Sequence, residues 1–240
     1  MIQLKNAQEL AKMRRACQIS AEALKLAGRS IEAGMTTADL DKIIYDYIKR
    51  HGARPNFKGL YGFPGTACIS INDEVIHGIP SHSRQIRPGD IVSIDTGAAI
   101  NGFNGDNACT FPCGKVDIEA QRLMDVTKES LHRGIAAAVA GNRVGDIGHA
   151  VQSYVEENGF SVVRSFVGHG VGKELHEDPE VPNYGHAGHG VRLVNGMTIA
   201  IEPMVNQKHH SVKTLSDGWT VVTADGGLAA HFEHSVAILP

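Results

Sequence analysis

Four acidic side chains lie inside runs that otherwise read as buried strand. They are Asp95 in IVSIDTG, Asp106 in FNGDNACTF, Glu202 in MTIAIEPMV and Glu233 in HFEHSVAIL. No other feature narrows the possible folds as much. An unpaired carboxylate is costly to bury, and Asp is depleted from strands. The fold therefore has to bring these acids to a shared neutralising partner. Few arginines stand near them in sequence, so cations are the economical partner, and a pair of divalent metals answers this much buried charge.

Histidines sit in similar surroundings: His77 in VIHGIP, His169 in FVGHGVG and His176 in ELHEDP, among 13 in the chain, many of them beside glycine. Oxygen-rich ligation with one imidazole suits Mn²⁺, Fe²⁺, Co²⁺ or Zn²⁺. Two such ions about 3.5–4 Å apart hold a bridging water and lower its pKa. The remaining histidines then serve as donors beside the metals or toward a substrate. GHAGHG (185–190) and the pair His209-His210 lack carboxylates at ligand spacing and read as surface loops.

Apolar residues at helical spacing (Leu10, Met13, Cys17, Ala21, Leu24) predict a helix over 6–27. A second starts at a Thr36/Thr37 cap and runs through Leu40, Ile43, Ile44, Tyr47 and Ile48 to Gly52. A loop rich in Gly and aromatics follows (57–65). Strand patterns then occupy 67–72, 91–97 and 103–111, the last two meeting at a Gly/Asn turn. Helical patterns return over 117–140 and 144–158, and strands again over 160–166, 197–205, 219–223 and 231–239. Helices, strands, helices, strands is not the alternation of a parallel sheet. It predicts an α+β fold with mostly antiparallel strands and a hint of internal repetition, with no linker between the halves.

The net charge of −3 gives no electrostatic footprint for nucleic acid or membrane. Lys5, Lys12, Arg14 and Arg15 mix with Glu9 and read as a solvated helix face. The cysteines (Cys17, Cys68, Cys109, Cys113) form no CxxC pair, as expected of reduced thiols in the cytoplasm. The start of the chain has no signal-peptide core, and no apolar run approaches the ~20 residues of a membrane helix.

Five blocks in order, CISINDEVIHGIP, VSIDTGAAINGFNGDNACTF, FVGHGVGKELHEDPEVPNY, IAIEPMV and DGWTVVT with HFEH, make the chain resemble the type I methionine aminopeptidases of the bacterial short form over essentially its whole length. The resemblance implies the pita-bread fold: two related halves about a pseudo-twofold, a curved antiparallel sheet with helices on its outer face, and one catalytic domain spanning 1–240. It implies five metal ligands, with Asp106 and Glu233 bridging two ions, Asp95 completing one site, and His169 with Glu202 the other. The implied activity is removal of the N-terminal methionine from nascent polypeptides whose second residue is small, by attack of a metal-held hydroxide on the first peptide bond. Glu202 would carry the proton, His176 stabilise the oxyanion and His77 contact the scissile amide. Phe63, Cys68, His77, Leu175 and Trp219 would line the methionine pocket, with Tyr61, Phe57 and Leu60 nearby. The resemblance further implies a cytoplasmic monomer with transient ribosome contact.

The chain departs from the family pattern at two places. Leu175 stands where an aromatic is common, widening the pocket. His231 stands where Gln is frequent, and either hydrogen-bonds near the metals or fills its site. A monovalent-cation site of some relatives would use Asn72 and Glu74, but a ligand-type Ser is replaced near Ala229. Relatives cleaving X-Pro bonds normally carry an additional N-terminal domain, which this sequence does not show. Catalytically silent binding members usually lose metal ligands, whereas all five are present.

Overall fold

Reciprocal caps start the first two helices. The Asn6 side chain accepts from the amides of Gln8 and Glu9, and Glu9 accepts from the Asn6 amide, fixing the start of α1 (Ala7–Arg29). Thr36 and Asp39 repeat the device at α2 (Thr37–Arg50). Short strands β1 (Arg54–Pro55), β2 (Ala67–Ile71) and β3 (Glu74–Ile76) follow. Next come two ten-residue strands, β4 (Ile91–Ile100) and β5 (Phe103–Pro112). Between them Asn101 and Gly102 take φ of 54° and 79°. Two successive positive φ values are what a type I′ turn needs, and its twist matches the flanking strands. Ile100 thus pairs with Phe103, and the ladder runs unbroken to Ile91 and Pro112.

The second half opens with α3 (Ile118–Ala137) and α4 (Val144–Glu157), packed on each other. Its strands are short: β6 (Ser161–Val162), β7 (Gly168–Gly170), β8 (Glu177–Val181), β9 (Thr198–Ile201), β10 (Met204–Asn206), β11 (Val212–Thr214), β12 (Val221–Thr223), β13 (Ala229–His231) and β14 (Glu233–Ala237). This is a computed structural model, and it describes residues 1–239.

Every strand pairing among the described residues is antiparallel. The main sheet runs β1-β4-β5-β14-β9-β7-β8, with β2 also paired to β4. Two three-stranded sheets, β13-β10-β6 and β11-β12-β3, flank it. In the main sheet the β5–β14 pair is the seam where strands of the first half meet those of the second, and β3 also pairs with β12 across the halves. Helix α1 packs on β4 and β5, and α3 on β13, β14, β9 and β5.

Helix α1 lies unusually close to the sheet. A Cβ at Gly105 would fall 2.3 Å from the Cys17 backbone nitrogen, so only glycine fits there. Close approach also explains which residues α1 buries. Leu10, Cys17 and Ala21, expected inside, are only partly covered. The buried face holds smaller groups, Ala16, Ser20, Ala23 and Ala27, together with Met13, Ile19 and Leu24. Because Gly105 faces the helix, Asp106 points to the opposite side of β5.

Three strand expectations change. The run 197–205 is two strands in two sheets, broken at Glu202-Pro203, where proline has no amide to donate. The run 231–239 likewise divides at Phe232, and 160–166 is strand over Ser161–Val162 alone. Lys12, Arg14 and Arg15 are exposed as expected, but Lys5 is not on a solvated helix face: it precedes α1 and is buried. No helix among the described residues is long and apolar enough to cross a membrane.

Candidate active site

Register alone gathers the acids. Asp95 pairs with Ala108, and Ala108 pairs in turn with Glu233, so one row crosses β4, β5 and β14. Asp106, opposite Gly97, lies two residues from Ala108 and therefore on the same face. Continuing the His234–Ile201 pairing by one residue brings Glu202, just past β9, across from Glu233. His169 arrives from β7, whose Gly170 pairs with Ile199. A Cβ at Gly168 would lie 2.3 Å from the Ala200 carbonyl oxygen, so glycine there lets β7 close on β9.

Asp106, His169 and Glu233 each offer a ligand atom within 4.8 Å of the others. His169 Nε2 stands 3.5 Å from Glu202 Oε1 and 3.8 Å from Asp106 Oδ2. Its Nδ1 lies 2.8 Å from the Gly170 carbonyl, to which it donates, leaving Nε2 as the free lone pair. Asp95 Oδ1, Asp106 Oδ1 and Glu233 Oε1 are buried without any hydrogen-bond partner. Burial, reinforced by the charges of Asp106 and Glu202, pushes Asp95 well above the usual carboxylate range. Burial pushes Asp106 up to about 7. Glu202 and Glu233 are also raised by burial and then by Asp106. Burial lowers His169 to about 4, so its imidazole is neutral and able to ligate. Buried oxygens with no donor and a neutral imidazole are the donor set of a divalent cation.

A pocket of about 120 Å³ opens over this face. Phe57, Leu60, Tyr61, Phe63, Cys68, Leu175 and Trp219 line it beside all five acidic and histidine ligand candidates, His77 and His176. Phe57, Phe63, Cys68 and Leu175 form one buried apolar cluster with Leu60, Ile79 and Trp219. Phe63 and Trp219 meet edge to face at 5.1 Å. His176 rests edge-on against His169 at 4.5 Å and stacks on the exposed Tyr61 at 6.0 Å. His77, with φ of 60°, is held between Phe166 and Trp219. Such a backbone is strained for a residue with a Cβ and persists where packing imposes it. Burial, then the proximity of His176, lowers His77 to about 4; burial also lowers His176.

The structure brings every expected site residue together and adds some that sequence reading missed. Ile79 packs against the apolar cluster, Phe166 meets His77 edge to face, and the Asn183 side chain donates to the Glu202 carbonyl at 3.0 Å. None of these carries a sequence signal beyond an ordinary core or loop residue. His231 lies beside the ligand set without hydrogen-bonding to it. Its Nε2 is buried, unpartnered and 3.8 Å from Glu202 Oε2. The His186–His189 and His209–His210 pairs lie outside this pocket. Asn72 and Glu74 spend their side chains on Asp90, the Ile91 amide, the Ile71 amide and Arg84.

Comparison with known proteins gives the class first. The pattern of metallopeptidase family M24 matches residues 11–240, and the chain belongs to that family. Among its relatives is a methionine aminopeptidase of Clostridium perfringens, 55% identical over all of this chain and 96% of the relative. Another is methionine aminopeptidase 1 of Bacillus subtilis, 50% identical over 99% of this chain and 96% of its own length. The crystal structure of a methionine aminopeptidase from Thermotoga maritima superposes with a TM-score of 0.98 at 44% identity, covering 100% of this chain and 96% of that one. A prolidase from Pyrococcus horikoshii shares the fold at a TM-score of 0.79 and 22% identity, with 98% of this chain covering 60% of it. The fold is the pita-bread fold. As a metallopeptidase of this family the chain works with divalent metal.

Proposed function

We infer that the chain is a methionine aminopeptidase, hydrolysing the first peptide bond of polypeptides that begin with methionine. The observation that carries this reading is the single pocket in which an apolar slot meets an unneutralised carboxylate cluster, with His77 and His176 beside both. Two divalent ions would be held by Asp106 and Glu233 together, with Asp95 on one and His169 with Glu202 on the other. Any of Co²⁺, Mn²⁺, Fe²⁺ or Zn²⁺ suits these ligands. When bound, such ions polarise the peptide carbonyl and make water a nucleophile at neutral pH.

The chain's own groups do the rest. Glu202 turns Oε1 toward His169 and Oε2 toward His231. Oε2 is then the atom that takes the proton of the attacking water and passes it to the leaving amine. His176 donates a hydrogen bond to the carbonyl oxygen as it gains charge, and His77 contacts the scissile nitrogen. Phe63, Cys68, Leu175 and Trp219 receive the unbranched thioether, which adapts to a soft apolar slot. The ion that Asp95 would help hold would supply a site for the free α-amine, which would restrict the enzyme to chain ends. The preference for a small second residue follows the family resemblance. The whole chain, 1–240, acts as one catalytic domain with two halves. The substrate is a nascent polypeptide N-terminus, met in the cytoplasm by a monomer in transient contact with the ribosome.

Chelated protein reloaded with Co²⁺ or Mn²⁺ is expected to release methionine from Met-Ala-Ser and leave Ala-Pro peptides intact. Preferential cleavage of Ala-Pro would reassign it to proline-specific chemistry, and no hydrolysis by metal-loaded protein would make it a binding module.

A further inference from the structure

Lys5 and Glu177 form an ion pair with side-chain exposures of 4% and 9%. The two residues are 172 positions apart in the chain, yet both line a cleft shared with His77, His169, His176 and Glu202. Glu177 opens β8 and pairs with Gly170 of β7, so residues 171–176 are the loop of that hairpin. His169 stands on one arm, and Leu175 and His176 end the loop immediately before Glu177.

The loop is wrapped around the pair. The Glu174 amide donates to Glu177 Oε1 at 3.2 Å, and the Gly172 amide to the Glu174 carbonyl at 3.0 Å. A Cβ at Gly172 would lie 2.5 Å from both Glu177 Oε1 and Lys5 Cε. Lys5 is itself fixed: its amide donates to the Gly196 carbonyl at 2.7 Å, and its ammonium also donates to the Gln3 carbonyl at 3.1 Å. From the other side, Asn104 of β5 donates to the carbonyls of Gly172 and Lys173. The adjacent contact of the Met1 amine with Asp178 is exposed and adds little.

A buried ion pair is weak evidence for stability, because a well-packed apolar pair of similar volume serves as well or better. What it supplies is a fixed geometry, and here the geometry fixed is that of the loop carrying His176. We propose that Lys5 and Glu177 are positioning residues that hold His176 over the site, making the segment before α1 part of the catalytic apparatus. This rests on the reading of His176 as the donor to the carbonyl oxygen.

The test is a double-mutant cycle with kcat, KM, bound metal and thermal unfolding measured for each variant on Met-Ala-Ser. Lys5→Met is expected to lower kcat about 10- to 100-fold, the usual cost of losing a group that orients a site residue. KM and metal stoichiometry stay near parent values, and Lys5→Arg restores most of kcat. In a His176→Ala background Lys5→Met should cost little more, because the residue it acts through is gone. Glu177→Gln keeps shape and acceptor while removing the charge, so it reports the same effect if Lys5→Met folds poorly. Parent-like kcat per folded enzyme in Lys5→Met or Glu177→Gln overturns the proposal, as does a full multiplicative loss in the His176→Ala background. Parent-like kcat for His176→Ala alone would instead overturn the reading of His176.

Discussion

The two halves of the molecule build their share of the site by different means. In the first, Asp95 and Asp106 ride on one unbroken ten-residue hairpin whose turn and register place both on one face. In the second, His169 and Glu233 come from short strands and Glu202 from just past the end of another. One shifts register between Gly168 and Gly170, one stops at Glu202-Pro203, and one begins at Glu233. A regular ladder positions its acids by local pairing. The broken strands position theirs by packing, which explains the glycine at 168, the Asn183 bond to the Glu202 carbonyl and the buried pair behind His176.

The sharpest way to break this contrast is at the seam, where each half would supply one shared acid, Asp106 or Glu233. Asp106→Asn and Glu233→Gln should each lower activity by more than about 100-fold, beyond the loss typical of residues that merely support a ligand. Elemental analysis should show metal lost alongside activity. Retention of metal and activity by either variant would mean that the site does not need that acid, and that the two halves do not share the metals through it.

Glycine substitutions probe the two means of positioning separately. Gly105→Ala pushes α1 off β5, and Gly168→Ala pushes β7 off β9. Overpacking of this kind costs about 1–3 kcal/mol in urea unfolding. The alanine at 168, beside His169, should also weaken metal affinity in calorimetric titration, whereas the one at 105 should leave more of it. Equal metal loss in both variants would erase the distinction between a regular and a packed half.

The smallest effect is one of pH on the metal-stripped protein. Asp106 rises to about 7 from the 3.8 of an ordinary Asp, and its acidic neighbours rise as well. The folded state then binds protons that the unfolded state has released, so stability falls as pH rises toward and through 7. The lowered histidines oppose this only below about 6.5, where unfolded histidine begins to charge. Between pH 6.5 and about 8.5 the thermal midpoint of stripped protein should fall, and saturating Mn²⁺ should flatten the curve. A rising midpoint without metal would mean that the fold itself holds these acids in their ionised form.

The same contrast explains what could be read from the sequence. The hairpin of Asp95 and Asp106 is legible because an Asn-Gly turn between strand patterns dictates its own register. The two long helices of the first half announce themselves through spacing and caps. In the second half, MTIAIEPMV looks like one strand, since local composition cannot say that Pro203 ends one sheet and Met204 enters another. Glu202 and Glu233, with one imidazole, can be read from their apolar runs as answering to a shared pair of cations, but only the family resemblance singles out His169 and gives each ligand its place. Lys5 reads as exposed from the sequence because its partner lies far away in the chain and nothing next to Lys5 marks it as buried.

The seam also orders how the molecule must come together. β14 is the last strand in chain order, yet it lies in the middle of the sheet, between β5 and β9. Until it inserts, β5 presents a long unpaired edge, the kind of edge that invites pairing with another chain. A growing chain therefore carries a finished first hairpin with one open side through most of its synthesis. Contacts so distant in sequence form slowly. Folding helpers and aggregation partners alike would find the chain most vulnerable along β5, shortly before Glu233 closes the gap.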